Sequence, residues 1–172
     1  MELKVDLTLK LREELVSRSL DLCLLNGPIS NFNISNIDLG SVPYVWTASP
    51  KLALSGADIA TLAGQSILTH ARTTRHFVEL SAHFRDLWEK PVRIVPSSSL
   101  AACLQMTLDG LGIAPLPRTL VEKLLTAGEL VEIPYEWKPS ALVFTASFAH
   151  TPASFLLKRS AELAMDRAVL HH

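Results

Sequence analysis

Apolar residues along this chain fall into two patterns: short continuous runs, and stripes repeating at three- and four-residue steps. The first pattern predicts strands buried in a sheet, the second helices with one apolar face. Glu2–Val5 predicts a short strand. Asp6 or Thr8 is placed to cap a helix reaching about Ser19, with Leu11, Leu15 and Val16 on one face and Lys10, Arg12, Glu13 and Glu14 on the others. Leu22–Leu25 is uninterrupted apolar sequence ended by Asn26-Gly27-Pro28, as in a strand covered on both faces. Residues 29–43 are polar and punctuated by proline and glycine, which predicts a connection. Tyr44–Ala48 predicts the next strand, stopped by Ser49-Pro50.

The alternation continues. A short helix near Ala57–Ala63 ends at Gly64, Ser66–Thr69 is a strand, and His70–Thr73 is the turn after it. Phe77, Leu80, Phe84, Leu87 and Trp88 form a stripe on a helix running to about Glu89, followed by a strand at Val92–Val95. Ser97-Ser98-Ser99 offers caps for a helix over Leu100–Asp109. Gly110 is placed to end that helix in a left-handed conformation, Gly112 to make a second tight turn, and Pro117 to start the next helix after a strand at Ile113–Leu116. That helix closes at Gly128. Leu130–Ile133 and Leu142–Phe148 are strands, and Thr151-Pro152 starts a last helix with Phe155, Leu156, Leu163 and Ala164 inward. Strands alternating with helices predict an α/β fold with mostly parallel sheets.

Composition narrows the function. At 48% hydrophobic and 19% charged, the 172 residues can bury a core. Sixteen Lys+Arg against seventeen Asp+Glu give a net charge of −1, unlike the basic balance of a domain that grips DNA unaided. A small molecule or another protein is the expected direct partner, and no membrane. The charged opening MELKVDLTLKLREEL lacks the apolar centre of a signal peptide, so a cytoplasmic location is expected. Cys23 and Cys103 each lie in apolar runs and read as buried thiols. No GxSxG, HExxH, Walker loop or CxxC occurs, and the scattered histidines lack metal-ligand spacing. The glycines of Gly110-Leu111-Gly112 follow a helix with the wrong spacing for a dinucleotide fingerprint. No enzyme activity, metal or cofactor is expected.

Two segments and their spacing carry a family resemblance. LREELVSRSLDLCLLNGP (Leu11 to Pro28) and DGLGIAPLPRTLVEKLLTAGELVEI (Asp109 to Ile133), with Leu62-Ala63-Gly64 and Ser66-Ile67-Leu68 between them, resemble the effector-binding domain of LysR-type transcriptional regulators. The resemblance implies a two-lobed fold like type 2 periplasmic binding proteins, with two crossover strands. It places lobe I at 1–46 plus 146–172 and lobe II at 47–145, with crossings near Val45–Ala48 and Thr145–Ser147. Against the family pattern, the chain opens at the lobe's second strand, which implies truncation at the N-terminus, without the winged helix-turn-helix.

The implied function is sensing a small-molecule effector and thereby controlling DNA binding by a helix-turn-helix outside this chain, through lobe and oligomer rearrangement. A homodimer or tetramer is implied, with the exposed faces of the Leu11–Ser19 and Phe77–Trp88 helices as contacts. The alternative is a solute-binding protein of the same fold for a small anionic ligand. Ligands in open α/β sheets bind beyond the carboxyl ends of strands, at helix N-termini. That rule selects Thr8, Asn26, Gly27, Thr69, His70, Ala71, Arg72, Thr73 and Ser98 as effector-binding candidates. Hydroxyls, helix N–H groups and Arg72 together suit a carboxylate. Each candidate also has a plainer reading: Thr8 and the serines as caps, Asn26 as a turn residue, Arg72 and Arg75 as a solvated face, and His70 and His76 as surface histidines.

Overall fold

The computed structural model describes residues 3–150 and 155–169. The chain divides into two compact units, Met1–Ser41 with Leu142–His172, and Val42–Ala141. The passages between them therefore lie at 41/42 and 141/142. The sequence places these boundaries a few residues later, inside strands that each turn out to belong wholly to one unit.

Unit 1 contains α1 (Thr8–Val16), β1 (Leu22–Asn26), β2 (Ile34–Val42, all but its last residue), β8 (Leu142–Ala149) and α6 (Phe155–Val169). Its sheet has the order β1-β8-β2, with β1 antiparallel to β8 and Leu25 opposite Thr145. Leu15, Cys23, Leu25 and Ile29 form one core cluster, and Ala146, Phe148 and Ala161 another. Four expectations change here. Residues 3–7 form no strand. Leu7, rather than Asp6 or Thr8, is the N-cap of α1, and no side chain caps it. The polar segment after Pro28 contains β2, an edge strand half-exposed on both faces, whose pattern carries no apolar run. In α6 the inward face is Leu157, Ala161 and Ala164, whereas Phe155 (80% exposed) and Leu156 (72%) point outward. Small alanines let the helix approach Phe148, so the close-packed face is the less hydrophobic one. The Thr151-Pro152 start of that helix lies outside the described residues.

Unit 2 contains β3 (Tyr44–Ala48), a single 3-10 turn at Pro50–Leu52, α2 (Ile59–Ala63), β4 (Ile67–His70), α3 (Arg75–Leu87), β5 (Ile94–Ser97), α4 (Leu100–Leu108), β6 (Ala114–Pro117), α5 (Arg118–Thr126) and β7 (Val131–Ile133). β3 is buried along its whole length, between antiparallel β6 and β7. β4 and β5 pair in parallel, and a parallel bridge joins Ile67 to Ile113. The sheets are thus mixed rather than mostly parallel. Continuous apolar runs mark burial on both faces, and central antiparallel strands such as β3 meet that condition too. The core face of α3 is His76, Leu80 and Phe84; Leu80 and Phe84 pack on Trp46, Leu62 and Ile67, while Leu87 is exposed.

The segment after α4 shows two different uses of glycine. Gly110 has φ +79°. Its N–H donates to Thr107 (3.0 Å) and that of Leu111 to Met106 (3.0 Å), the paired bonds of a left-handed helix stop. Gly112 has no positive φ. It is needed for space, because a Cβ there would overlap the Ser66 carbonyl of the segment entering β4. Pro117 ends β6 and is the N-cap of α5 rather than its first helical residue. Cys23 and Cys103 are buried free thiols. Among the described residues, no helix is long and apolar enough to cross a membrane, and no group of His, Cys, Asp and Glu is placed to hold a metal.

Candidate functional site

The parallel pair β4–β5 brings two strand ends together, with His70 opposite Ser97. Each strand then leads directly into a helix. Thr74 caps α3, its hydroxyl accepting the Phe77 N–H (3.3 Å), and Ser99 caps α4, its hydroxyl accepting the Ala102 N–H (3.2 Å). Adjacent carboxyl ends of parallel strands opening into helix N-termini favour an anion electrostatically. Of the sequence candidates, Thr69, His70, Ala71, Arg72, Thr73 and Ser98 all lie here.

Their roles separate on inspection. Thr69 is 2% exposed and its Oγ1 is buried without a hydrogen-bond partner, an arrangement that costs stability unless something fills it. Arg72 is exposed, its guanidinium 5.2 Å above the Phe77 ring, and it makes no ion pair among the described residues. The cation–π contact orients a planar fork whose donors stay available. Arg75 is committed, by contrast, to Glu79 (2.6 Å) and Ser140 (3.0 Å). Ala71 shapes the turn: its carbonyl accepts both the N–H (2.9 Å) and the hydroxyl (2.8 Å) of Thr74. Thr73 and Ser98 are exposed. Ser97 and Ser99 bond to one another and close the second turn.

Beneath the first turn lies a cluster that the sequence did not bring together. The Tyr44 hydroxyl is 2.9 Å from His70 Nε2, and the His76 ring packs 4.7 Å from Tyr44 and 5.5 Å from His70. His76 is 8% exposed and its Nε2 donates to the Ser140 carbonyl (3.0 Å), so it is not a surface histidine. Burial, with His76 nearby, pushes the His70 pKa down to about 4. Burial also lowers that of His76, against the opposing Ser140 hydrogen bond. Burial, then Glu79, raises that of Tyr44. The two imidazoles are therefore neutral at pH 7. Tyr44 carries no sequence signal beyond its place in an apolar strand, and only the fold sets it beside both histidines.

In unit 1 the candidates fare unequally. Asn26, at the end of β1, has a buried Nδ2 without a partner. Gly27 is structural: its N–H donates to Val143 (2.9 Å) and its Cα lies against the Thr145 side chain, leaving no room for a Cβ. Thr8 is an exposed first-turn residue. The polar network beside Gly27 is internal, with Asn36 joining Ile29 and Ser147 at 2.8–3.1 Å. Two open surface cavities lie elsewhere in unit 2. One of about 500 Å³ lies beside β7, and one of about 410 Å³ at the end of α3. In the first, the Glu132 carboxylate is already paired with Arg118 and Lys138. Arg72, without an ion-pair partner among the described residues, and the unpartnered Thr69 hydroxyl lie three residues apart in the same segment, which favours the β4–β5 turns over either cavity.

Two α/β units joined by two chain passages define the type 2 periplasmic-binding-protein-like class, and comparison with solved structures agrees. The regulatory domain of HypT from Salmonella typhimurium superposes with a TM-score of 0.79 at 13% identity, covering 98% of this chain and 82% of that one. The CcmR regulatory domain of Synechocystis PCC6803, in complex with 2-PG, gives 0.76 at 16% identity, covering 97% and 82%. Full-length LysG from Corynebacterium glutamicum, with bound effector Arg, gives 0.72 at 18% identity, covering 98% of this chain and 58% of that one. At such identities these likenesses establish the fold. The family follows from sequence: the model described as LysR substrate binding domain matches residues 1–165, and the chain belongs to that family. No curated protein matches significantly.

Proposed function

We propose that this domain senses a small carboxylate-like anion at the β4–β5 turns, and that binding selects one arrangement of the domain and its oligomer, which a DNA-binding part of the regulator then reads. The observation that carries the choice of site is the Thr69 hydroxyl, buried and unpartnered, three residues before Arg72, which has no ion-pair partner among the described residues. Arg72 supplies the bidentate donor, the N-termini of α3 and α4 supply N–H groups and dipole, and Thr69 fixes orientation. In unit 1, Asn26 is the second candidate contact, through its unused Nδ2. Thr8 and Gly27 make no such offer. HypT, CcmR and LysG are regulators or their regulatory domains, and CcmR and LysG are described with 2-PG and Arg bound. Similarity to them supports a small-molecule effector and leaves its identity to chemistry.

The test is a calorimetric titration with 2-PG, arginine and a set of small mono- and dicarboxylates against wild type and Arg72→Ala. A binder should weaken about 10- to 100-fold in the variant, as expected for a lost charge-assisted pair. A ligand whose affinity is the same in both would sink this reading.

A further inference from the structure

Ser140 stands two residues before Leu142, where the chain passes back into unit 1. One helix holds every hydrogen-bonding group it has. Its N–H donates to Glu79 Oε2 (2.8 Å) and its hydroxyl donates to Glu79 Oε1 (2.7 Å) while accepting from Arg75 Nη2 (3.0 Å). Its carbonyl accepts from His76 Nε2 (3.0 Å). The Glu79 carboxylate also takes the Arg75 Nε–H at 2.6 Å. Burial by itself would raise the Glu79 pKa, but these Ser140 and Arg75 hydrogen bonds outweigh it and hold the value below the usual one. Pro139, just upstream, is buried, and its ring fixes φ. The backbone leaving unit 2 is thus pinned on both sides of one residue, through the two peptide groups that flank the Ser140 Cα.

The other passage reaches the same place. Tyr44 comes two residues after Val42, where the chain enters unit 2, and its ring packs on His76. Its hydroxyl meets His70, the last residue of β4 and the start of the candidate effector turn. The turn, the incoming passage and the outgoing passage therefore converge on Tyr44, His70 and His76, with Glu79 completing the grip on Ser140. An exposed i,i+4 ion pair such as Arg75–Glu79 is weak alone. A carboxylate that also holds a backbone N–H and a hydroxyl fixes geometry.

We propose that Tyr44, His70, His76 and Glu79 are positioning residues that couple the His70–Thr73 turn to the two passages between the units, so that what happens at the turn alters how firmly Ser140 is held. This rests on the turn being the effector contact, but its test needs no effector, so the two ideas fail separately. Coupling of this kind is reciprocal. Amide hydrogen exchange of the whole chain, read residue by residue, compares wild type, Glu79→Gln and His70→Gln. Glu79→Gln should speed exchange of the Ser140 amide about tenfold, the size of one lost charge-assisted bond, and should also speed exchange of the Thr74 amide, which the Ala71 carbonyl holds across the turn. His70→Gln should speed exchange at Ser140, and neither variant should change β6 or α5. Tyr44→Phe, which removes only a hydroxyl, serves if His70→Gln does not fold. Loosening confined to each variant's own neighbourhood would overturn the proposal, as would a Ser140 amide that exchanges equally fast with and without the Glu79 carboxylate.

Discussion

Gly110 and Gly112 are two residues apart and look alike in sequence, yet the structure requires them for different reasons, and substitution separates the reasons. At Gly110 the constraint is φ, +79°, and a Cβ would find its nearest neighbours at an ordinary 3.7 Å and 3.8 Å. Asparagine tolerates that conformation, so Gly110→Asn should cost about 1 kcal/mol or less, the scale of a left-handed residue. At Gly112 the constraint is space against the Ser66 carbonyl. That carbonyl accepts the Ile113 N–H (2.9 Å), and Ile113 in turn accepts the Leu68 N–H (2.8 Å). A methyl group forces these apart. Two backbone bonds at about 1 kcal/mol each, plus about 1–3 kcal/mol of overpacking against fully buried Ile67 and Ile113, give about 3–5 kcal/mol for Gly112→Ala. Urea unfolding followed by tryptophan fluorescence, with unchanged slopes, measures both. Equal losses in the two variants, or a Gly112→Ala protein within about 0.5 kcal/mol of wild type, the range of an ordinary surface change, would refute the reasoning.

Two further outcomes are expected. Thr69→Val replaces a buried unpartnered hydroxyl with a methyl of similar size. It should leave unfolding free energy unchanged or raise it by up to about 1–2 kcal/mol while weakening effector binding; a clear loss of stability would show that the hydroxyl is satisfied in the free protein. The second outcome concerns acid. His70 binds its proton less readily folded (about 4) than unfolded (6.5), so acid favours the unfolded chain. Its contribution is intact above about 6.5 and is lost as pH falls toward 4. The urea midpoint should fall across that window and fall less steeply in His70→Gln; identical pH profiles would contradict a buried neutral imidazole.

Much of the fold was legible because burial leaves period-2 and period-3.6 marks on sequence. The β3 run, the Leu80–Phe84 spacing and the Gly110 helix stop all read directly, whereas His76 on the same buried face did not. What failed to read was pairing and exposure. β2 is an edge strand with polar residues on both sides, so it looks like a loop. The burial of α6 follows the face that packs closest rather than the face with the largest side chains. The strands β4 and β5 were located and mostly parallel sheets expected, but an apolar run reveals neither partner nor direction, and the antiparallel partners of β3 were missed. At the candidate site the sequence located the Thr69–Thr73 turn from a strand followed by a capped helix. It preferred Arg72 to Arg75 but not for the reason the structure gives: Arg72 lies over Phe77 without a carboxylate partner among the described residues, whereas Arg75 is consumed by Glu79 and Ser140. Nor did it find Tyr44 and Ser140, which lie far from the turn in sequence and meet it only through the fold.

The central claim is that the effector meets unit 2 at the turns ending β4 and β5. Amide NMR of the ¹⁵N-labelled domain, titrated with the tightest binder from the calorimetric set, tests it most directly. The account predicts saturable shifts concentrated at residues 69–74 and 97–99 and lost in Arg72→Ala. Shifts centred instead on the β7 cavity or the end of α3, with the β4 and β5 turns silent, would contradict it.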